Sequence, residues 1–188
     1  MNELKNKEVC DFINANCIYP DFPCKGVNFI DIFPLLQNES LEDFKDLLIV
    51  EPIVLVPESR GFLFYKSLGP SRVLPLRKQG KLPGELIEIT YHKEYGDDKL
   101  FFQKSLLKSL CKNWTDKGIK IPVCVFDDVL ATGGTALSII NTINNLNLDG
   151  YTFEVTSAKF YISIKNLKGT ELLNSEFPKL NVESLYVY

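Results

Sequence analysis

Apolar and polar positions along the chain mark out an alternation of helices and short strands. Leu4, Val9, Phe12, Ile13 and Cys17 recur at close to helical spacing with charge between them, which predicts an amphipathic helix over residues 4–17. Pro20 and Pro23 then force an extended path through Asp21 and Phe22, and Gly26 permits a turn before residues 27–36. Asn38 or Ser40 can cap a short helix running to about Leu48, and residues 52–56 form a short apolar strand. Residues 86–91 alternate weakly as a strand, with 100–103 as its antiparallel return and Glu94–Asp98 at the tip; 105–120 predict a helix and a surface loop. The uncharged apolar run 121–126 fits a strand buried on both faces, as in parallel sheets covered by helices. Leu137, Ile140, Ile143 and Asn144 then keep helical spacing, 151–162 offer another strand, and 177–188 a final strand or tail. This order predicts a single α/β domain over 1–188 with a central, mostly parallel sheet flanked by helices.

Composition narrows the class. A chain of 188 residues, 45% hydrophobic, buries a sizeable core as one domain. No apolar run approaches the ~20 residues needed to cross a bilayer, and the polar first residues are not followed by an apolar signal region, which points to a cytoplasmic protein with no membrane partner. The net charge of −3 argues against nucleic acid as a partner. Five cysteines without C-x-x-C spacing argue against a disulfide framework or a zinc site. Positive charge is nevertheless concentrated locally, with Arg72, Arg77, Lys78 and Lys81 and no carboxylate among them.

The chemistry gathers around residues 123–136. The apolar strand is closed by Asp127 and Asp128, and a turn of small residues, Ala131, Thr132, Gly133, Gly134 and Thr135, opens the next helix. Glycines let a backbone approach a ligand, and the free N–H groups at a helix start favour an anion such as a phosphate. A carboxylate pair at the carboxyl end of a parallel strand sits where open α/β sheets bind ligands, and acceptor-only groups there suit vicinal hydroxyls or a hydrated Mg²⁺. Together these specify a sugar phosphate. The turn lacks the Lys of a Walker A loop, and no G-x-G-x-x-G occurs, so nucleoside triphosphatase and dinucleotide-binding functions fit poorly.

Residues 125–135, Val-Phe-Asp-Asp-Val-Leu-Ala-Thr-Gly-Gly-Thr, resemble the phosphoribosyl-pyrophosphate signature of the type I phosphoribosyltransferases. Four further stretches in the same order (19–26, 58–64, 76–85 and 91–96) narrow the resemblance to the adenine phosphoribosyltransferases, over roughly residues 19–173. The resemblance implies transfer of a 5-phosphoribosyl group from phosphoribosyl pyrophosphate to adenine, with Mg²⁺ carried by the donor rather than by a certain set of protein ligands. It implies a hood over the base from about 1–36 and a flexible hairpin at about 77–104. Asp127 and Asp128 would hold the ribose hydroxyls, Ala131–Thr135 the 5-phosphate, and Glu94 would exchange the purine proton. Glu58, Ser59 and Arg60, with a non-proline cis peptide at Glu58–Ser59, would bind pyrophosphate together with Arg77, Lys78 and Lys81. Val27, Ile30 and Tyr95 would shape the base site. Related enzymes are homodimers, and Arg77 is the residue expected to cross to the neighbour. The chain departs from the family pattern at Ile30, where the family carries Arg, and at Tyr65, where a Gly is usual; the helix after Phe64 is short. Two alternatives to adenine transfer stay open at this level: a regulator that senses the donor without turnover, and a transferase for another purine. His92, the single histidine, has no place in the family's catalytic motif.

Overall fold

The computed structural model describes residues 3–22, 24–38, 47–93, 96–116 and 118–188. Glu94 and Tyr95 lie outside the described residues, as do 39–46, most of the helix expected before Leu48. In chain order the elements are α1 (Glu3–Asn16), β1 (Ile18–Tyr19), β2 (Phe29–Ile30), α2 (Phe33–Leu36), β3 (Ile53–Pro57), α3 (Tyr65–Leu68), β4 (Val73–Lys78), β5 (Leu86–Lys93) and β6 (Gly96–Gln103). There follow α4 (Lys104–Leu110), β7 (Ile121–Leu130), α5 (Gly134–Asn144), β8 (Asn147–Leu148), β9 (Tyr151–Ser163), α6 (Gly169–Glu176) and β10 (Asn181–Val187).

The main sheet has the order β10-β9-β7-β3-β4-β6-β5, with β8 paired to β9. The ladders from β10 to β4 are all parallel, so these strands end at one edge, whereas β6 pairs antiparallel with both β4 and β5. The strands at the centre are apolar on both faces because both faces are covered. Ile53, Leu55, Val123 and Val125 pack with Ile139, Ile140 and Ile143 of α5. Their neighbours Val54, Val56, Cys124 and Phe126 point the other way and pack with Val9 and Ile13 of α1. Such two-sided burial is the period-2 alternation of a strand read through two cores instead of one.

The free edge at β10 is closed by α1. Asn6 donates from Nδ2 to the Val187 carbonyl at 3.0 Å and accepts the Val187 N–H at 2.9 Å, filling one unpaired backbone position of the edge strand. In α1 itself the buried stripe is Val9, Ile13 and then Cys17, while Leu4, expected on that stripe, is 73% exposed in the first turn.

The hairpin is longer than its apolar pattern suggests. β5 runs on to Lys93 and β6 begins at Gly96, because the cross-strand ladder continues through polar residues, Tyr91 opposite Asp98 and Thr90 opposite Lys99. The helix after Phe64 is short, as expected: a 3₁₀ turn over Arg60–Phe64 leads into the four residues of α3, and Gly69, with φ +83°, ends it.

Candidate functional site

The parallel strands deliver their last residues to one edge, and the acidic pair sits there. Asp128 is buried and Asp127 partly so, near the carboxyl end of β7, with the Asp128 N–H donating to Asp127 Oδ1 at 2.9 Å. Burial and the adjacent Asp128 carboxylate push the Asp127 carboxyl well above the usual carboxylate range. Room for Asp127 comes from Gly61: a Cβ there would stand 2.8 Å from Val56 Cγ1 and 3.4 Å from Asp127 Oδ1.

Directly after β7, Ala131–Thr135 wrap a pocket of about 90 Å³ whose lining includes Asp127. Gly133 takes φ +86° as the N-cap of α5, and no side chain caps this helix, so the N–H groups of its first turn are left for a ligand. The eleven-residue α5 adds its dipole to that end, which suits a phosphate. The strand, acid pair, turn and helix read from the sequence are therefore assembled into one concave site.

Sequence reasoning did not pick out what supports this turn from behind. Gly169, the first residue of α6, lies where a Cβ would collide with the Ala131 carbonyl oxygen and stand 3.0 Å from Leu130 Cδ1. Gly133 meets the same backbone from the other side, a Cβ there falling 3.1 Å from the Gly169 carbonyl oxygen. The Leu-Lys-Gly turn at 167–169 was the available signal, since a Gly opening a helix after a left-handed Lys168 marks close backbone approach.

On the other side of the acid pair the Glu58–Ser59 peptide bond is cis. Glu58 turns away from open solvent: Arg77 Nε donates to its Oε2, and the Lys78 N–H donates to Oε1 at 2.8 Å. Burial alone would raise the Glu58 carboxyl, but the Lys78 N–H and the Arg77 guanidinium outweigh it and hold it below the usual range. Arg77 also lies over the Phe62 ring at 5.7 Å. Of the four cations that looked concentrated in the sequence, Arg72 belongs elsewhere. It donates to the carbonyls of Leu68 at 2.8 Å and Glu51 at 3.2 Å, tying the end of α3 to the entry of β3. Lys78 and Lys81 are exposed.

Arg60 has three partners. Its Nε forms an ion pair with Asp128 Oδ2 at 2.7 Å, its Nη1 donates to the Ile30 carbonyl at 2.8 Å, and its Cζ stands 4.8 Å above the Phe29 ring. Phe29 and Ile30 form β2, which pairs with Ile18 and Tyr19 as the hood's two-residue ladder. The hood turn is held by Asp21, at φ +57°, whose Oδ1 accepts the Gly26 N–H at 2.6 Å. Val27 is half-exposed with both backbone groups used inside that turn, and Ile30 is buried. Phe22 and Phe29 meet edge to face at 5.2 Å and, with Tyr19, Pro20, Asp21 and Asp31, line an open cavity of about 420 Å³. These aromatics belong to a cavity wall, with Phe22 54% exposed. Tyr65, at the start of α3, is half-exposed.

Tyr91 lies in one of the motif stretches but carried no assigned role. Its hydroxyl donates to Asp98 Oδ2 at 2.9 Å across the hairpin, and burial, Asp98 and the nearby charges of Asp127 and Glu58 raise it well above the ordinary tyrosine range. Among the described residues no group of three or more His, Cys, Asp or Glu is placed to hold a metal ion.

No family model matches the chain. A curated adenine phosphoribosyltransferase from Mycoplasmopsis pulmonis is 38% identical over 173 residues, covering 88% of this chain and 91% of its own. The adenine phosphoribosyltransferase structure from Thermoanaerobacter pseudethanolicus superposes with a TM-score of 0.71 at 29% identity, over 95% of this chain and 99% of that one. The Saccharomyces cerevisiae enzyme, solved with an imino-sugar bisphosphate and adenine, gives a TM-score of 0.64 at 28% identity, over 98% and 99% of the two chains.

Proposed function

The chain belongs to the adenine phosphoribosyltransferase family, and we infer from that membership and from its site that it transfers the 5-phosphoribosyl group of phosphoribosyl pyrophosphate to adenine, giving AMP and pyrophosphate. The observation that carries this reading is the continuity of the site: a phosphate-sized turn at a bare helix start, joined without a break to a carboxylate pair at the edge of the sheet.

In this reading the 5-phosphate lies on Ala131–Thr135 and the ribose hydroxyls donate to Asp127 and Asp128. N9 of adenine forms its bond to the anomeric carbon as the bond to the pyrophosphate oxygen breaks, and the electron pair leaves with pyrophosphate. Positive charge develops in the ribosyl ring, so fixed carboxylates and accurate placement supply the catalysis. The proton released from the purine goes to Glu94, by the family pattern. Asp128 is ion-paired with Arg60, and burial together with the Asp128 charge raises the Asp127 carboxyl. By the family pattern the donor is taken as its Mg²⁺ complex, and the ion would offset charge on the departing pyrophosphate.

The active unit in this reading is a homodimer. Leu63 and Tyr65, each 48% exposed on the short segment that follows the pyrophosphate loop, give a second copy apolar surface to cover. The ion pair of Arg77 with Glu58 must open for Arg77 to serve a neighbouring site. Five free cysteines fit the reducing cytoplasm, and among the described residues no helix is long and apolar enough to cross a membrane. The direct test is chromatography of the nucleotide formed from the donor with adenine, hypoxanthine or guanine. AMP from adenine, in large excess over the other products, is expected; IMP or GMP as the main product would reassign the base, and donor and adenine binding without AMP would make the protein a sensor.

A further inference from the structure

We propose that the cavity between the C-terminal ends of α5 and α6 is a second ligand site, suited to a small organic monocation with an apolar body, such as an arylalkylammonium. The cavity, of about 340 Å³, lies where both helices finish, against the first half of β9. Val155, Phe177, Pro178 and Leu180 give it apolar walls. Its shape is fixed by hydrogen bonds on each side. Asn144, the last residue of α5, accepts the Val155 N–H on its side-chain oxygen at 2.8 Å. Thr156 is the extra residue of a bulge, falling between Val155 opposite Val123 and Ser157 opposite Cys124, and its hydroxyl donates to the buried Glu51 carboxylate at 3.0 Å. At the end of α6 the Phe177 N–H donates to the Leu173 carbonyl and the Leu180 N–H to the Phe177 carbonyl, each at 2.9 Å.

Charge selects the occupant. The C-terminal end of a helix carries partial negative charge, and two such ends meet here. Glu154 and Glu176 line the same cavity, and among the described residues of the lining Lys179 is the one cation. One net negative charge on the side chains, added to two helix ends, favours a single positive charge over an anion or a polyamine. A bare divalent ion fits less well, because it needs several oxygen ligands at once and no group of three or more His, Cys, Asp or Glu among the described residues is placed to hold a metal. The apolar walls then call for hydrocarbon on the ligand. This site is separate from the donor site. The same two helices begin beside the phosphate turn, at Gly134 and Gly169, and the eleven residues of α5 put about 16 Å between its ends.

Titration of the isotope-labelled full chain with phenethylammonium, followed by NMR, tests the proposal. The expected result is saturable shifts at the N–H groups of Val155, Thr156, Phe177 and Leu180, unaffected by added phosphoribosyl pyrophosphate with Mg²⁺. Hydrocinnamate, of similar shape and opposite charge, should not bind, and neutral phenethyl alcohol should bind at least about fivefold more weakly. Glu154→Gln together with Glu176→Gln should weaken the ammonium about fivefold or more, whereas Lys179→Gln should tighten it about twofold. All three side chains are exposed, so these variants keep the fold. Binding of the alcohol or the carboxylate as tight as that of the ammonium overturns the site, as does undiminished binding by the double variant or weaker binding by Lys179→Gln. So do displacement by the donor, shifts confined to the hood or the phosphate turn, and the absence of any saturable shift at millimolar probe.

Discussion

Asp127 is held in a state that opposes folding and serves binding. In the unfolded chain its carboxyl titrates in the usual range, whereas in the folded protein burial and Asp128 raise it. Across the interval between those two values the folded state binds more protons, so stability falls as pH rises through it, and the full cost is present above the raised value. Asp127→Asn keeps an oxygen for the Asp128 N–H and removes the charge. The variant should melt at a higher temperature than wild type at neutral pH, with the gain vanishing when both are compared below the usual carboxylate range. Its transfer rate should fall about 10- to 100-fold, the value of a hydrogen bond to a charged group. An unchanged melting difference across pH, read by calorimetry, would contradict the assignment. Asp127 and Asp128 were legible from the sequence because two adjacent carboxylates ending an uncharged, buried strand carry a desolvation cost that a polar ligand at the strand's end offsets. The partners of Arg60, Arg72 and Glu58 were not legible, since a side chain's partner thirty residues away leaves no local pattern; Arg60 and Ile30 are such a pair.

Elements followed the sequence wherever burial set their period. The two-faced strands β3 and β7 and the phosphate-side helix α5 were readable as uninterrupted apolar runs or helical stripes. The hairpin's last residues were not, because β5 and β6 continue through polar pairs that show no apolar alternation. Nor was the role of α6, whose start is defined by what it touches. Gly169 supports the phosphate turn through backbone contact, so Gly169→Ala should push a methyl group into the Ala131 carbonyl and Leu130. We expect a loss of about 1–3 kcal/mol in denaturant unfolding together with weaker donor binding, while adenine KM changes little. Loss of stability with donor binding intact would mean that the turn does not depend on α6.

For the whole molecule, the parallel half of the sheet provides a rigid edge and everything added to it bears on that edge. The hood reaches the acid pair through Arg60, and the hairpin approaches through Tyr91, whose hydroxyl feels Asp127 and Glu58. Light scattering is expected to find the mass of a dimer at working concentration, twice 21.4 kDa; a monomer would remove the homodimer and any crossing role for Arg77. The claim on which the rest depends is that residues 127–135 hold a phosphoribosyl donor. Titration calorimetry of phosphoribosyl pyrophosphate with Mg²⁺ and no base tests it most directly. The predicted result is saturable binding of one donor per chain that is strongly weakened in Asp127→Asn and in Gly169→Ala; absence of binding by the wild-type protein would contradict the site and the function together.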